Sequence, residues 1–296
     1  MSARDGAAPT STAPMSTAPT STVSRGTVSR GTVPTALAPG VEVEMACWPP
    51  LRRVVTTQGW WVGLSGGLTK RANSAVALRV PDGGVPSAVD EVETHYAAAG
   101  LPAVMRVGHG GLQEEVRGEL DGRGWAERAV TAVLARPLDG LAATPGAGAV
   151  RTSLAREPDD AWLDLHLDVK GADARDGGAR RALARAILTG GEAWHLAAYE
   201  DDALVGIIRV ARAGRWGALS CLAVRPEHRR RGTGRLLTLR GLEVAREHGA
   251  SHAFLQVEEH NTGAAALYAD LGFVRVDEYS YLERPTADGT VPAGSC

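Results

Sequence analysis

The apolar positions of this chain change period several times, and the changes mark its elements. The stretch TTQGWWVGLS (56–65) and the stretch NSAVALRV (73–80) are rich in aromatic and β-branched residues. They predict two strands, joined by the Gly-containing turn GGLTKRA. From 85 to 99 the period becomes helical, with Val89, Val92 and Tyr96 on one stripe. A short strand (AVMRV), a helix (LQEEVRGELDG) and a pair of strands between Gly124 and Pro137 follow. In the second half, AVRTSL predicts a strand, and DDAWLDLHLDV and ARRALARAIL predict helices. AWHLAAYE and ALVGIIRVAR predict a hairpin turning at Asp201-Asp202. WGALSCLAV has few polar residues, as a strand covered on both faces would. The helix LLTLRGLEVAREHG, the strand HAFLQVE, the helix TGAAALYADLG and terminal strands in FVRVDEYSYLE complete the order. Strands alternating with helices predict an α/β fold.

The halves repeat each other weakly. HYAAAGLPAVMRV runs parallel to AREHGASHAFLQV, and each is followed by a helix, a Gly-aromatic pair, strand residues and Arg-Pro. Twelve positions separate Trp125 from Pro137, and twelve separate Phe273 from Pro285. Between Val80 and Gly100 there are 20 positions, against 25 between Val224 and Gly249. The longer interval holds a basic, Gly-punctuated loop that the first half lacks. This pattern predicts duplication followed by loss of one site.

Composition then sets the limits. The chain of 296 residues has a formal charge of −2, so bulk charge gives no reason to expect nucleic acid or an anionic membrane as partner. No apolar run approaches the roughly 18 residues of a membrane span. Three cysteines, far apart, do not form a disulfide framework or a thiolate zinc site, and no His pattern predicts a metal. A cytoplasmic protein is the expectation. Ser, Thr, Ala and Pro make up 26 of the first 40 residues, which predicts a disordered tail over 1–40, with Met45 as an alternative start. That tail has no apolar h-region, so no secretory signal is expected. The expected domains are 41–138, a linker at 139–147 and 148–286, with a flexible end at 287–296.

The chemistry concentrates in Val224-Arg-Pro-Glu-His-Arg229-Arg230-Arg231-Gly232-Thr233-Gly234-Arg235. A strand ends and a helix begins across this loop, and free backbone N–H groups at a helix start suit a pyrophosphate. Gly232 and Gly234 allow close approach, and the arginines add charge-assisted bonds. The spacing is neither that of a Walker loop nor that of the dinucleotide fingerprint.

This loop, Arg229-x-x-Gly232-x-Gly234 behind Leu-Ala-Val-Arg-Pro, resembles the acetyl-CoA signature of the GNAT N-acetyltransferase superfamily. The block Asn261-x-x-Ala264-Ala265-x-Leu267-Tyr268-x-x-x-Gly272-Phe273 resembles its other recurrent segment. The resemblance covers about residues 148–285. The first half is similar to a diverged copy, and its GWWVGLSGGLTKRANS run resembles a subgroup of actinobacterial GNAT proteins. The tandem arrangement resembles that of mycothiol synthases.

The resemblance implies a GNAT fold, with a mixed central sheet flanked by helices, and acetyl transfer from acetyl-CoA to a primary amine, with no metal. Leu222 and Val224 would offer backbone groups to the pantetheine arm, and Arg229, Arg230, Arg231, Gly232, Thr233, Gly234 and Arg235 would hold the pyrophosphate. Asn261 would position the cofactor, and Tyr268 would protonate the departing thiolate. Many relatives carry a basic carboxylate on the strand before the loop, where this chain has Ala218. Glu258 is the expected substitute, with Glu259 and His260 close behind and His195 second. Asp160, Asp164 and Asp168 form a helical stripe that would attract a cationic amine or simply face solvent. Cys221 is expected to pack mid-strand as a small hydrophobe. The alternatives are a non-catalytic acyl-CoA sensor, a mycothiol-synthase-like enzyme and, more distantly, a nucleic-acid binder built on the Arg run.

Overall fold

Eleven strands form one mixed sheet in the computed structural model, which describes residues 37–141, 150–169 and 177–285. All of these belong to one compact unit. Most of the expected tail, most of the linker and the expected flexible end lie outside the described residues.

The first half comprises α1 (Val41–Cys47), β1 (Arg52–Val55), β2 (Trp61–Leu64), β3 (Ala75–Val76), α2 (Gly84–Ala98), β4 (Val104–Val107), α3 (Leu112–Gly122) and β5 (Ala126–Pro137). The second comprises β6 (Arg151–Ala155), α4 (Asp160–Val169), α5 (Gly177–Leu188), β7 (Glu192–Glu200), β8 (Ala203–Ala213), β9 (Trp216–Val224), α6 (Thr233–Glu247), β10 (His252–Glu258), α7 (Thr262–Asp270) and β11 (Val274–Glu283). Two expectations need correction. The residues between Gly124 and Pro137 form one 12-residue strand and not a pair, and the terminal segment is likewise one strand of 10 residues. An unbroken alternation does not reveal whether a long strand folds back on itself. Helix α1 and strand β1 carry no period long enough to be read in the sequence.

The sheet order is β1-β2-β3-β4-β11-β5-β10-β9-β8-β7-β6. Each half ends in a strand that leaves its own neighbour and inserts into the other half. β11 lies between β4 and β5, and β5 lies between β11 and β10. The exchange is reciprocal down to register. Ala126 faces Glu283 and Ala135 faces Val274, while Val107 faces Ser280 and the equivalent Val257 faces Ala132. The two Gly-aromatic repeats therefore start two strands related by a local two-fold.

Apolar clusters cover both faces. Trp60, Val89, Tyr96 and Leu120 fill the first half, and Leu237, Leu242, Leu255 and Phe273 fill the second beneath α6 and α7. A third cluster crosses between them. There Trp48, Leu68 and Ala72 of the first half pack with Trp162 and Leu163 of α4 and with Ile187 of α5. Helix α1 also packs on β8 and β9, so the first half covers the middle of the second half's sheet.

Candidate active site

β9 and β10 run parallel and pair only from Trp216–Leu219 against His252–Leu255. Beyond Leu219 a bulge places Cys221 and Leu222 together opposite Ile208 of β8. Such a bulge bends its strand, and here the two strands part. Cys221 adopts φ 58°, a left-handed conformation uncommon for a residue with a side chain. It lies within β9 and packs, as expected, against the cluster of Trp162 and Ile207, but it is only half-buried and also lines the opening. The edge of β9 toward β10 has no ladder partner here. A pocket of about 310 Å³ fills the opening.

The basic loop lies where β9 gives way to α6. Arg230 and Gly232 take positive φ values of 62° and 89°. Gly232 is the N-cap of α6 and supplies no side-chain hydrogen bond. The first helical bond beyond it joins Leu236 N–H to the Gly232 carbonyl at 2.9 Å. The amides of Thr233, Gly234 and Arg235 therefore stand before the ladder begins, in the manner of an anion-binding nest. The loop is pinned from behind. Arg225 Nε donates to the Leu204 carbonyl (2.7 Å), Arg229 Nε donates to the Val224 carbonyl (3.0 Å) and His228 meets Glu200 at 2.8 Å. Arg229, Arg230, Arg231 and Arg235 are exposed. A β-strand edge with open carbonyls and amides leading to an uncapped basic helix start fits a long anionic thioester carrier such as acetyl-CoA.

Tyr268 of α7 lines the pocket and stacks edge-on against Phe273, with ring centroids 5.8 Å apart. Burial pushes its phenol up to about 12, which keeps the O–H protonated at neutral pH. Asn261 lines the same pocket and caps α7, its Oδ1 accepting from Ala264 N–H at 3.1 Å. Leu222 lines the pocket, whereas Val224 stands at the loop end of β9. Glu258 lies on the rim, with His260 Nδ1 3.2 Å from its carboxylate. Glu259 points elsewhere and pairs with Arg275 at 2.8 Å.

Two further candidates lie away from the pocket. His195 is buried against Trp162, its Nδ1 3.2 Å from the Arg156 carbonyl. Burial, then the charge of Arg209, pull its pKa down to about 4. The acidic stripe of α4 does not border the pocket either. Asp160 pairs with Arg185 at 2.9 Å and Asp164 pairs with Arg181, so α5 neutralises two of its three members.

The first half supplies Trp48, Thr69, Arg71 and Thr131 to the pocket, opposite Tyr279 and Tyr281 of β11. Sequence reasoning assigned none of these six residues to the site: four belong to the first half, and Tyr279 and Tyr281 reach it only because β11 pairs with β5. A buried carboxylate also stands near Ala218, brought from α1. Glu44 and Ala218 line one small cavity together with Gln256. Glu44 accepts from Arg106 at 2.8 Å and from Gln256, while its Oε1 is buried without a partner. Burial, against the pull of Arg106, raises its pKa. Among the described residues no group of His, Cys, Asp and Glu is arranged to hold a metal ion, and no helix is long and apolar enough to cross a membrane.

Residues 41–282 match the family described as probable histone acetyltransferase Rv0428c C-terminal. The chain is 25% identical over 231 residues to the uncharacterized N-acetyltransferase YobR of Bacillus subtilis, covering 75% of this chain and 88% of that protein. A stretch of 98 residues is 34% identical to the mycothiol acetyltransferase of Renibacterium salmoninarum, covering 31% of this chain and 29% of that enzyme. Among solved structures, a GCN5-related N-acetyltransferase from Kribbella flavida superposes with a TM-score of 0.61 at 18% identity, over 84% of this chain and 98% of that one. A tandem GNAT protein from the clavulanic acid biosynthesis pathway superposes with a TM-score of 0.56 at 19% identity, over 85% and 90%. The parted strands, the uncapped basic helix start and a family match spanning both halves lead to one conclusion: the chain belongs to the Rv0428c C-terminal acetyltransferase family, within the GNAT superfamily of N-acetyltransferases.

Proposed function

We propose that the second half, 148–286, moves an acetyl group from acetyl-CoA to a primary amine by direct attack in a ternary complex. The first half, 41–138, is in this reading a diverged copy that has lost its own cofactor loop. The observation that carries the proposal is the continuity of the opening. An unpaired strand edge leads from an uncapped basic helix start to a pocket lined by the buried Tyr268 of α7, with Tyr279 and Tyr281 of β11 also on its wall.

The amides of 233–235, with Arg229, Arg230, Arg231 and Arg235, hold the pyrophosphate. The edge of β9 at Leu222 and Val224 takes the pantetheine arm, and Asn261 fixes the turn beside it. The acceptor nitrogen attacks the thioester carbonyl carbon, the C–S bond breaks and an amide forms. The proton lost by the nitrogen goes to Glu258, directly or through one water. Tyr268 gives its proton to the departing thiolate. Direct attack forms the amide in one transfer and needs no acyl-enzyme.

The test is transfer from acetyl-CoA to a panel of small-molecule amines and lysine peptides, histone tails included. The expected result is stoichiometric release of CoA thiol and amide. Acetyl-CoA binding with no turnover on any amine overturns the proposal in favour of an acyl-CoA sensor.

A further inference from the structure

The segment GGLTKRANS belongs to the first half, far in sequence from the cofactor loop, and the mechanism above does not use it. In the structure it is an ordered turn. Asn73 Oδ1 accepts from Ser65 N–H (2.7 Å) and Gly67 N–H (3.0 Å), and Asn73 Nδ2 donates to the Thr69 carbonyl (2.8 Å). Thr69 Oγ1 caps the 3₁₀ turn at Ala72 N–H. Thr69, Ala72, Asn73 and Ser74 are all buried. So many local bonds hold one side chain, Arg71, against the acceptor side of the pocket.

Arg71 differs from the other arginines of the interior. Arg209 donates to three carbonyls, those of Leu188, Cys47 and Gly190, and Arg106 is paired with Glu44. Arg71 and Arg209 both stack on the Trp48 ring, their guanidinium carbons 5.1 and 4.9 Å from its centroid. Its Nε is buried with no hydrogen-bond partner, and among the described residues no carboxylate forms an ion pair with it. Glu44 lies along the same small cavity as Arg71 and attracts it through charge, but its hydrogen bonds go to Arg106 and Gln256 and it forms no ion pair with Arg71; Glu258 lies beside His260. Arg71 is half-buried, a guanidinium does not lose its charge at neutral pH, and a buried Nε–H without an acceptor is costly, which favours an anion at its open side. Around it stand the hydroxyl groups of Thr69, Tyr279 and Tyr281, all possible donors to an anion. The last two lie 3.4 Å apart.

Building on the acetyltransfer reading, we infer that Arg71 receives an anionic group, carboxylate or phosphate, of a small acceptor amine, so that the first half sets the acceptor specificity of the second half's reaction. The pocket volume of about 310 Å³, shared with the thioester end, suits a compact acceptor of this kind. The planar fork of Arg71 matches either oxyanion with two parallel bonds.

The test uses the full chain, acetyl-CoA and acceptors matched except in charge. Glycine and β-alanine are set against their carboxamides, glucosamine 6-phosphate against glucosamine, and a histone-tail lysine peptide stands as a cationic macromolecular acceptor. The anionic member of at least one pair is expected to exceed its neutral match in kcat/KM by roughly 10–100-fold, mostly through KM. Which pair responds distinguishes carboxylate from phosphate. Arg71→Met, which keeps the apolar stem on Trp48, brings that ratio close to one, and Arg71→Lys restores part of it. A purely structural arginine would change stability without changing charge selectivity. Equal use of neutral, cationic and anionic acceptors by the wild type overturns the inference while leaving acetyl transfer intact, and so does an unchanged ratio in Arg71→Met. If acetyl-CoA binds but no amine is acetylated, the transfer reading fails separately. Calorimetry of the same acceptors on the CoA-loaded protein then decides the role of Arg71. Tighter binding of anionic members, lost in Arg71→Met, supports it, and indifference to charge overturns it.

Discussion

Helix starts α2 and α6 occupy corresponding places in the two halves and are finished in opposite ways. At α6 the Gly232 cap leaves the first amides uncovered, beside exposed arginines. At α2 the protein's own side chains close the same kind of turn. Gln58 Oε1 accepts from Gly83 N–H at 2.9 Å, Arg79 Nε donates to the Gln58 carbonyl at 3.1 Å, and Trp60 Nε1 donates to the Arg79 carbonyl at 2.9 Å. The turn before α2 is tied down by these side chains, whereas the turn at α6 is left open. In the proposed reading, loss of the first half's cofactor site involved more than a shortened loop, because the Gln58 side chain also occupies the turn before α2. The first half retains a role all the same, since it supplies one wall of the second half's pocket.

Four measurements would break or sharpen this contrast. The largest effect is expected from Tyr268→Phe, which keeps the contact with Phe273 and removes only the O–H. Its kcat should fall by roughly 10²–10⁴ with thermal stability unchanged. Unaltered turnover would take Tyr268 out of the chemistry. Next comes Gly232→Val, which places a β-branched residue at φ 89°. It should weaken acetyl-CoA binding by roughly 10²–10³-fold in calorimetry, through loss of charge-assisted backbone bonds. The matching Gly84→Val at φ 81° in the first half should lower stability and leave the acetyl-CoA Kd alone. Equal losses of binding would erase the distinction between the helix starts.

The third prediction concerns acid. His195 is held neutral in the fold with a pKa of about 4, below its unfolded value of about 6.5. The unfolded chain thus binds the extra proton first. Its contribution to stability is complete above pH 6.5 and is lost as the pH falls through 4, a loss of about 3 kcal/mol at that pH. Denaturant titrations of His195→Asn should show that acid limb flattened, and an unchanged limb would place the acid sensitivity elsewhere. The smallest effect is expected from Asp160→Asn. Its exposed pair with Arg185 contributes about 0.2–1 kcal/mol, and acceptor kinetics should not move. A raised KM for amines would return the α4 stripe to the acceptor groove.

The motifs that lie within a single stretch of chain were legible in the sequence. The loop of 229–235 announces itself because a helix start, two glycines and a cluster of arginines are all local. The same holds for the α7 block, where Asn261 caps the helix and Tyr268 follows two turns later. Even the halves' kinship shows, since the repeated Gly-aromatic pairs begin strands of equivalent register. The pocket wall supplied by the first half was not legible. The GWWVGLSGGLTKRANS run shows a family resemblance but not that its Arg71 meets the second half's pocket, and Glu44 lies in a seven-residue helix too short to show a period.

The sequence by itself therefore determined most of the elements, their order and the basic Gly-punctuated loop, because each depends on neighbours a few residues away. Only the tertiary structure decided which strands exchange, and so which residues face the opening beside β9. Strand pairing and buried charge are settled by groups more than a hundred positions apart, such as Glu44 with Gln256 and Val133 with Asp277. No local pattern encodes such a meeting, since alternation specifies a strand's faces but leaves its partner open.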